Sequence, residues 1–240
     1  WLAALREEAI DIDQELGRDI PEVDIPALSS NPSVAACQLR EWLSFDESQQ
    51  EDCSSSRKLY LLIEKKLEER CVFLAQYENV ELELARGVSI YFDTFPIIGV
   101  NSVDHWPAKS FSAIHELCHL SKRASAICNQ MSPDNFDAEE VYCNAVAGEF
   151  LVPAASLERV VEGRDNLLDE KFIAKLVKRF SVSRDVIARR LYNMGHITKN
   201  EYEQKLSIYD EEARAEREHQ KAQRAAGIES FAMQPAYRLA

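Results

Sequence analysis

Residues 111–120 read FSAIHELCHL, and this stretch limits what the rest of the chain can be. On an α-helix, residues four apart share a face. His115 and His119 therefore project together, one turn apart, and can take the same metal ion. Glu116 is set to one side of that pair, where it reaches a water on the ion rather than the ion itself. Two imidazoles holding Zn²⁺, with a glutamate as general base, form the zinc hydrolase arrangement. Ile114, Leu117 and Leu120 are apolar, as a helix buried beneath a cleft requires.

Two histidines leave the site short of a ligand. Residues 137–153, DAEEVYCNAVAGEFLVP, predict a second helix. Ala145, Val146, Phe150 and Leu151 supply its apolar face and Pro153 stops it. Glu140 and Asn144 are four apart on one face. Glu140 can complete a site of two histidines and one glutamate, and Asn144 can then orient a histidine from behind. The competing account is an acidic helix start, with Asp137, Glu139 and Glu140 favoured by the helix dipole. It covers the charges. It does not cover an asparagine in an apolar stripe, where an unpartnered amide is costly.

HELCHL followed by EVYCNAVAGEFLVP resembles the ImmA/IrrE family of metallopeptidases. That family has an HELGH-like helix and then an E-x-x-A-N-x-F-A-x-x-L-L-x-P-like helix. The resemblance implies that His115, His119 and Glu140 are zinc ligands and Glu116 the catalytic base. Cys118 stands where glycine is common, Cys143 where alanine is, Val146 where phenylalanine is, and Tyr142 where many members have a second glutamate. None of these changes removes an implied ligand. The resemblance is close over residues 65–155, looser to 205, and poor over the first 60. It implies an α+β, zincin-like minimal metallopeptidase: a small β-sheet beside the HExxH helix, then a helical, helix-turn-helix-like subdomain. It also implies a narrow protein substrate, a helix-turn-helix transcriptional repressor whose cleavage derepresses a stress or mobile-element regulon. Two alternatives are a non-proteolytic regulator acting through residues 170–200 and a toxin–antitoxin component. Tyr142, His105 and His196 are the candidates for stabilising an oxyanion.

The rest of the chain divides into a helical lead-in and linker (1–56), the metallopeptidase domain (57–165), a helix-turn-helix-like subdomain (166–205) and a charged helix with a tail (206–240). Helical periodicity is expected at 1–16, 33–45 and 57–69. Residues 44–56 are polar and acidic and read as an exposed linker. Residues 88–92 and 96–101 read as strands, 71–74 as a further β-like run, and 80–84 suits helix or strand. Residues 121–136 read as a polar connection beside the cleft. Between 171 and 199 there are eight Lys or Arg against one Asp. DNA contact by the helix at 184–194 is possible but not favoured over packing against acidic surface.

The net charge of −13 makes general nucleic-acid affinity poor. No apolar run approaches the ~20 residues of a membrane span, and no secretory signal stands at the start. A chain beginning at Trp1 is expected to be a trimmed or processed form. Six cysteines without C-x-x-C spacing point to reduced thiols in a cytoplasmic protein. Cys118, Cys128 and Cys143 flank the two helices, as small buried hydrophobes or as a redox-sensitive trio.

Overall fold

The structure is a computed structural model and describes residues 2–18, 22–123, 126–128 and 138–225. Four helices precede the sheet: α1 (Leu2–Glu15), α2 (Pro32–Trp42), α3 (Glu47–Glu51) and α4 (Ser56–Glu68). Three strands follow, β1 (Phe73–Tyr77), β2 (Gly87–Ile90) and β3 (Ile97–Asn101), and then α5 (Trp106–Ser121). A fourth strand, β4 (Ala126–Cys128), stands before α6 (Ala138–Leu151) and α7 (Ala154–Val161). The chain continues through α8 (Glu170–Phe180), α9 (Arg184–Asn193) and α10 (Lys199–Ala225). The architecture is α+β, with a helical region after the small sheet.

The sheet has the order β1-β3-β2-β4. β1 runs parallel to β3, whereas β2 is antiparallel to both β3 and β4. Every residue of β3 is buried, which is why 96–101 reads as a continuous apolar run rather than an alternating one. α5 lies against β2 and β3, with α4 and α6 beside it. Its start is set locally. Pro107 sits in the first turn, and His105 accepts the Ala108 N–H on Nδ1 at 3.2 Å. Ile114, Leu117 and Leu120 are fully buried, worth about 2 kcal/mol each in transfer terms. α6 packs on α5 and α2 through Cys143, Val146, Ala147, Phe150 and Leu151.

Four segments differ from their sequence expectation. Residues 44–56 carry α3, capped by Asp46. Gln50 is buried there and donates to the carbonyls of Leu151 (2.8 Å) and Phe180 (3.0 Å), so the segment is a packed brace rather than an exposed linker. Residues 80–84 form a turn, neither strand nor helix, because Asn101 draws in the carbonyls of Val80 and Ala85. The β-like run at 71–74 enters its strand two residues late, at Phe73. Within 121–136, three residues pair with β2 as β4, too short a run to carry a periodicity of its own. The remainder of that connection, from 129, lies outside the described residues, as does the tail from 226.

The helical region after α7 shares one core with the rest. Phe172, Ile173, Leu176, Ile187, Leu191 and Tyr202 join the same buried cluster as α5 and α6. α8 is capped by Asp169 and α9 by Ser183, and Ser181 between them takes a left-handed backbone at φ 57°. On α9 only Asp185, Arg189 and Asn193 are exposed. Arg190 is buried, paired with Glu149 and bonded to the Val152 carbonyl at 2.9 Å. Arg179 pairs with Glu51, Arg184 with Glu212, and the Arg189 guanidinium covers the Tyr202 ring. Arg179, Arg184, Arg189 and Arg190 are thus engaged within the molecule, while Lys171, Lys175 and Lys178 are exposed. Among the described residues no helix is long and apolar enough to cross a membrane.

Candidate metal centre

The two helices that carry the metal pattern lie side by side, and three side chains converge between them. His115 Nε2 is 3.2 Å from His119 Nε2. Glu140 Oε2 is 3.1 Å from His115 Nε2, and Glu140 Oε1 is 3.2 Å from His119 Nε2. The three ligand atoms form a group that could hold a metal ion. Donors bound at about 2.0 Å to a tetrahedral ion lie about 3.3 Å apart, and the separation of the two nitrogens, and of each nitrogen from the Glu140 oxygen it faces, is of that size. The donor set of two imidazoles and one carboxylate also leaves a fourth position open. The residues fit the ion that the sequence pattern implies.

Glu116 is fully buried (0% exposed). Its carboxylate rests on the backbone of Gly87 at the start of β2. A Cβ placed on Gly87 would overlap Glu116 Oε1 and lie 2.9 Å from its Cγ. Absence of a side chain at Gly87 is therefore a condition for the Glu116 rotamer. A glycine inside a strand signals close approach of another group. The strand expected from sequence began at 88, so this cue at 87 emerges only with the observed start of β2.

The remaining candidates fall elsewhere. Tyr142 directs its hydroxyl to the Ser29 carbonyl at 2.5 Å, and burial pushes its pKa up to about 12. His105 uses Nδ1 to cap α5. His196 meets Glu158 of α7 at 2.7 Å. Among the described residues no hydrogen bond joins Asn144 to either histidine. The contact expected of Asn144 is made by Glu139, whose Oε1 lies 3.1 Å from His119 Nδ1. Both acids in the first turn of α6 thus reach the same imidazole, where the sequence account assigned one of them. Cys118 and Cys143 are fully buried between the helices. Hydrogen bonding to Cys118, with burial, drives the Cys143 thiol well above its ordinary range. Such thiols behave as packing groups rather than redox sensors. The side chain of Cys128 lies outside the described residues.

The model of the Peptidase_M78 family, described as "IrrE N-terminal-like domain", matches residues 74–192. The chain belongs to the ImmA/IrrE family. The matched range includes β2, α5, α6 and α9, and with them the whole convergent group. Membership supports a zincin-like metallopeptidase. No curated protein matches the chain in sequence. Among solved structures, the chain is similar to one described as "Mycobacterium tuberculosis transcriptional regulator", with a TM-score of 0.46 and 17% identity. The match covers 68% of this chain and 47% of that one, so the chain spans about half of that protein's length.

Proposed function

We propose that this ImmA/IrrE-family protein is a zinc-dependent endopeptidase of the cytoplasm. The observation that supports this reading most directly is the triangle of His115, His119 and Glu140 with Glu116 seated beside it. His115 Nε2, His119 Nε2 and the Glu140 carboxylate would hold the ion. Zinc in such a site supplies Lewis acidity and lowers the pKa of a bound water to about 7. Glu116 accepts the proton of the attacking water as the new C–O bond forms. It then returns that proton to the amine nitrogen as the C–N bond breaks. The absence of a side chain at Gly87 leaves room for the carboxylate in this position.

The proposed substrate is a helix-turn-helix transcriptional repressor, cut to release a stress or mobile-element regulon. Family membership is what supports this choice. The rival is a non-proteolytic regulator binding DNA or a repressor through residues 170–200, and its DNA form draws no support from the pairing of Arg179, Arg184 and Arg190 within the chain.

Metal content of the purified protein, measured by plasma mass spectrometry, tests the site. About one zinc per chain is expected, lost in His115→Ala and in Glu140→Ala. A chain that takes up no zinc when it is supplied would sink the peptidase reading. Metal retained in Glu140→Ala would move the third ligand elsewhere.

A further inference from the structure

His119 is the only residue of the group approached on both ring nitrogens by described carboxylates. Nε2 faces Glu140 Oε1 at 3.2 Å, and Nδ1 faces Glu139 Oε1 at 3.1 Å. Consecutive residues on a helix diverge by about 100°. Glu139 and Glu140 therefore cannot both enter the triangle, and they straddle the imidazole of the neighbouring helix instead. Lys122 Nζ stands 3.5 Å from the same Glu139 oxygen, and it also lies over the Tyr142 ring at 5.0 Å. Cys143 Sγ, one turn along from Glu139, closes the space near Nδ1 at 3.9 Å. His115 has no such support. Its Nδ1 is buried without a hydrogen-bond partner among the described residues.

We infer that Glu139 is a positioning residue for the metal centre, acting through His119 and not as a ligand; this rests on the metal reading of the site. An acceptor on Nδ1 keeps the ring proton there and leaves the Nε2 lone pair aimed into the triangle. A negative carboxylate in that place also raises the donor strength of the imidazole. Of the two histidines, His119 is thus pre-set in tautomer and ring angle, and His115 is the one the ion must orient. Lys122 pairs with the same Glu139 oxygen and limits the swing of the carboxylate. The role expected of an amide at 144 is filled by an acid five residues earlier.

The test is a competition titration of zinc against a chromophoric chelator on the full chain. Glu139→Gln keeps the shape of the side chain and removes its charge. It should weaken zinc by about 10–100-fold while the metal-free protein melts at the wild-type temperature. Glu139→Asp should recover part of the loss. Glu140→Gln, a change in a ligand, should cost more than Glu139→Gln. Cobalt substitution adds a second readout, because a turned imidazole changes the visible absorption of the bound ion. Equal zinc affinity in wild type and Glu139→Gln overturns the positioning role and leaves the site itself standing. A greater loss in Glu139→Gln than in Glu140→Gln reverses the two roles and also overturns it. A wild-type chain that binds no zinc overturns the site reading along with it.

Discussion

Glu116 and Gly87 depend on each other across two elements. The carboxylate occupies the volume that any side chain at 87 would fill. Gly87→Ala is therefore expected to turn Glu116 away while leaving His115, His119 and Glu140 in place. Under the proposed peptidase function, peptide-bond cleavage should fall at least ~10²-fold, the usual weight of a positioned general base, with zinc stoichiometry unchanged. Glu116→Gln should show the same pattern without the steric conflict. Paired assays of metal content and cleavage on both variants check this. Zinc lost together with activity in Gly87→Ala would mean that the added methyl disturbs the ligands and not the base.

Among the elements, α9 shows how a motif can be present and yet be used for packing. Its sequence has a capping serine, a short turn from the preceding helix and a run of arginines. Its surface is covered by α6, α8 and α10, and Arg190 is buried against Glu149 and the Val152 carbonyl. Removing one member of a buried pair strands the other. Arg190→Ala should then destabilise the chain by roughly 3–5 kcal/mol, read from urea unfolding. A loss under ~1 kcal/mol would show that Glu149 finds water or another partner. α3 makes the same point on a smaller scale. Gln50→Ala should cost about 1–3 kcal/mol, because two buried carbonyls, from α6 and α8, lose their donor together.

At the scale of the molecule, charge and metal are the two levers. A net charge of −13, with Arg179, Arg184 and Arg190 of the basic segment paired within the chain, predicts weak binding to duplex DNA. Fluorescence anisotropy at physiological salt should give no Kd tighter than about 10⁻⁶ M. A tighter, sequence-selective complex would revive the regulator reading. Metal that binds only the folded state adds stability by mass action, about 2.7 kcal/mol at a hundredfold excess over Kd. Chelation should therefore lower the melting temperature by several degrees, and zinc should restore it. No shift on chelation would mean that the site contributes nothing to the folded state.

The start of α5 at Trp106 was not legible from residue spacing. Spacing alone was enough for a helix over 111–120, the placing of His115 and His119 on one face of it, and the strands around 88 and 97. Each of these follows from a local period, 3.6 residues or two, that backbone geometry imposes on any chain. The choice between Glu139 and Glu140 was different. Both are acids in one turn of α6, and their nitrogen partners belong to a helix about twenty residues away, so the rotation of α6 against α5 decides which faces the triangle. The same holds for Gly87, whose reason is a carboxylate on another element, and for β4, three residues that form a strand only because β2 offers free backbone groups. The basic run at 171–199 was legible as charge but not as structure. Its partners, Glu51, Glu149 and Glu212, are spread across the chain, and only folding brings them within reach.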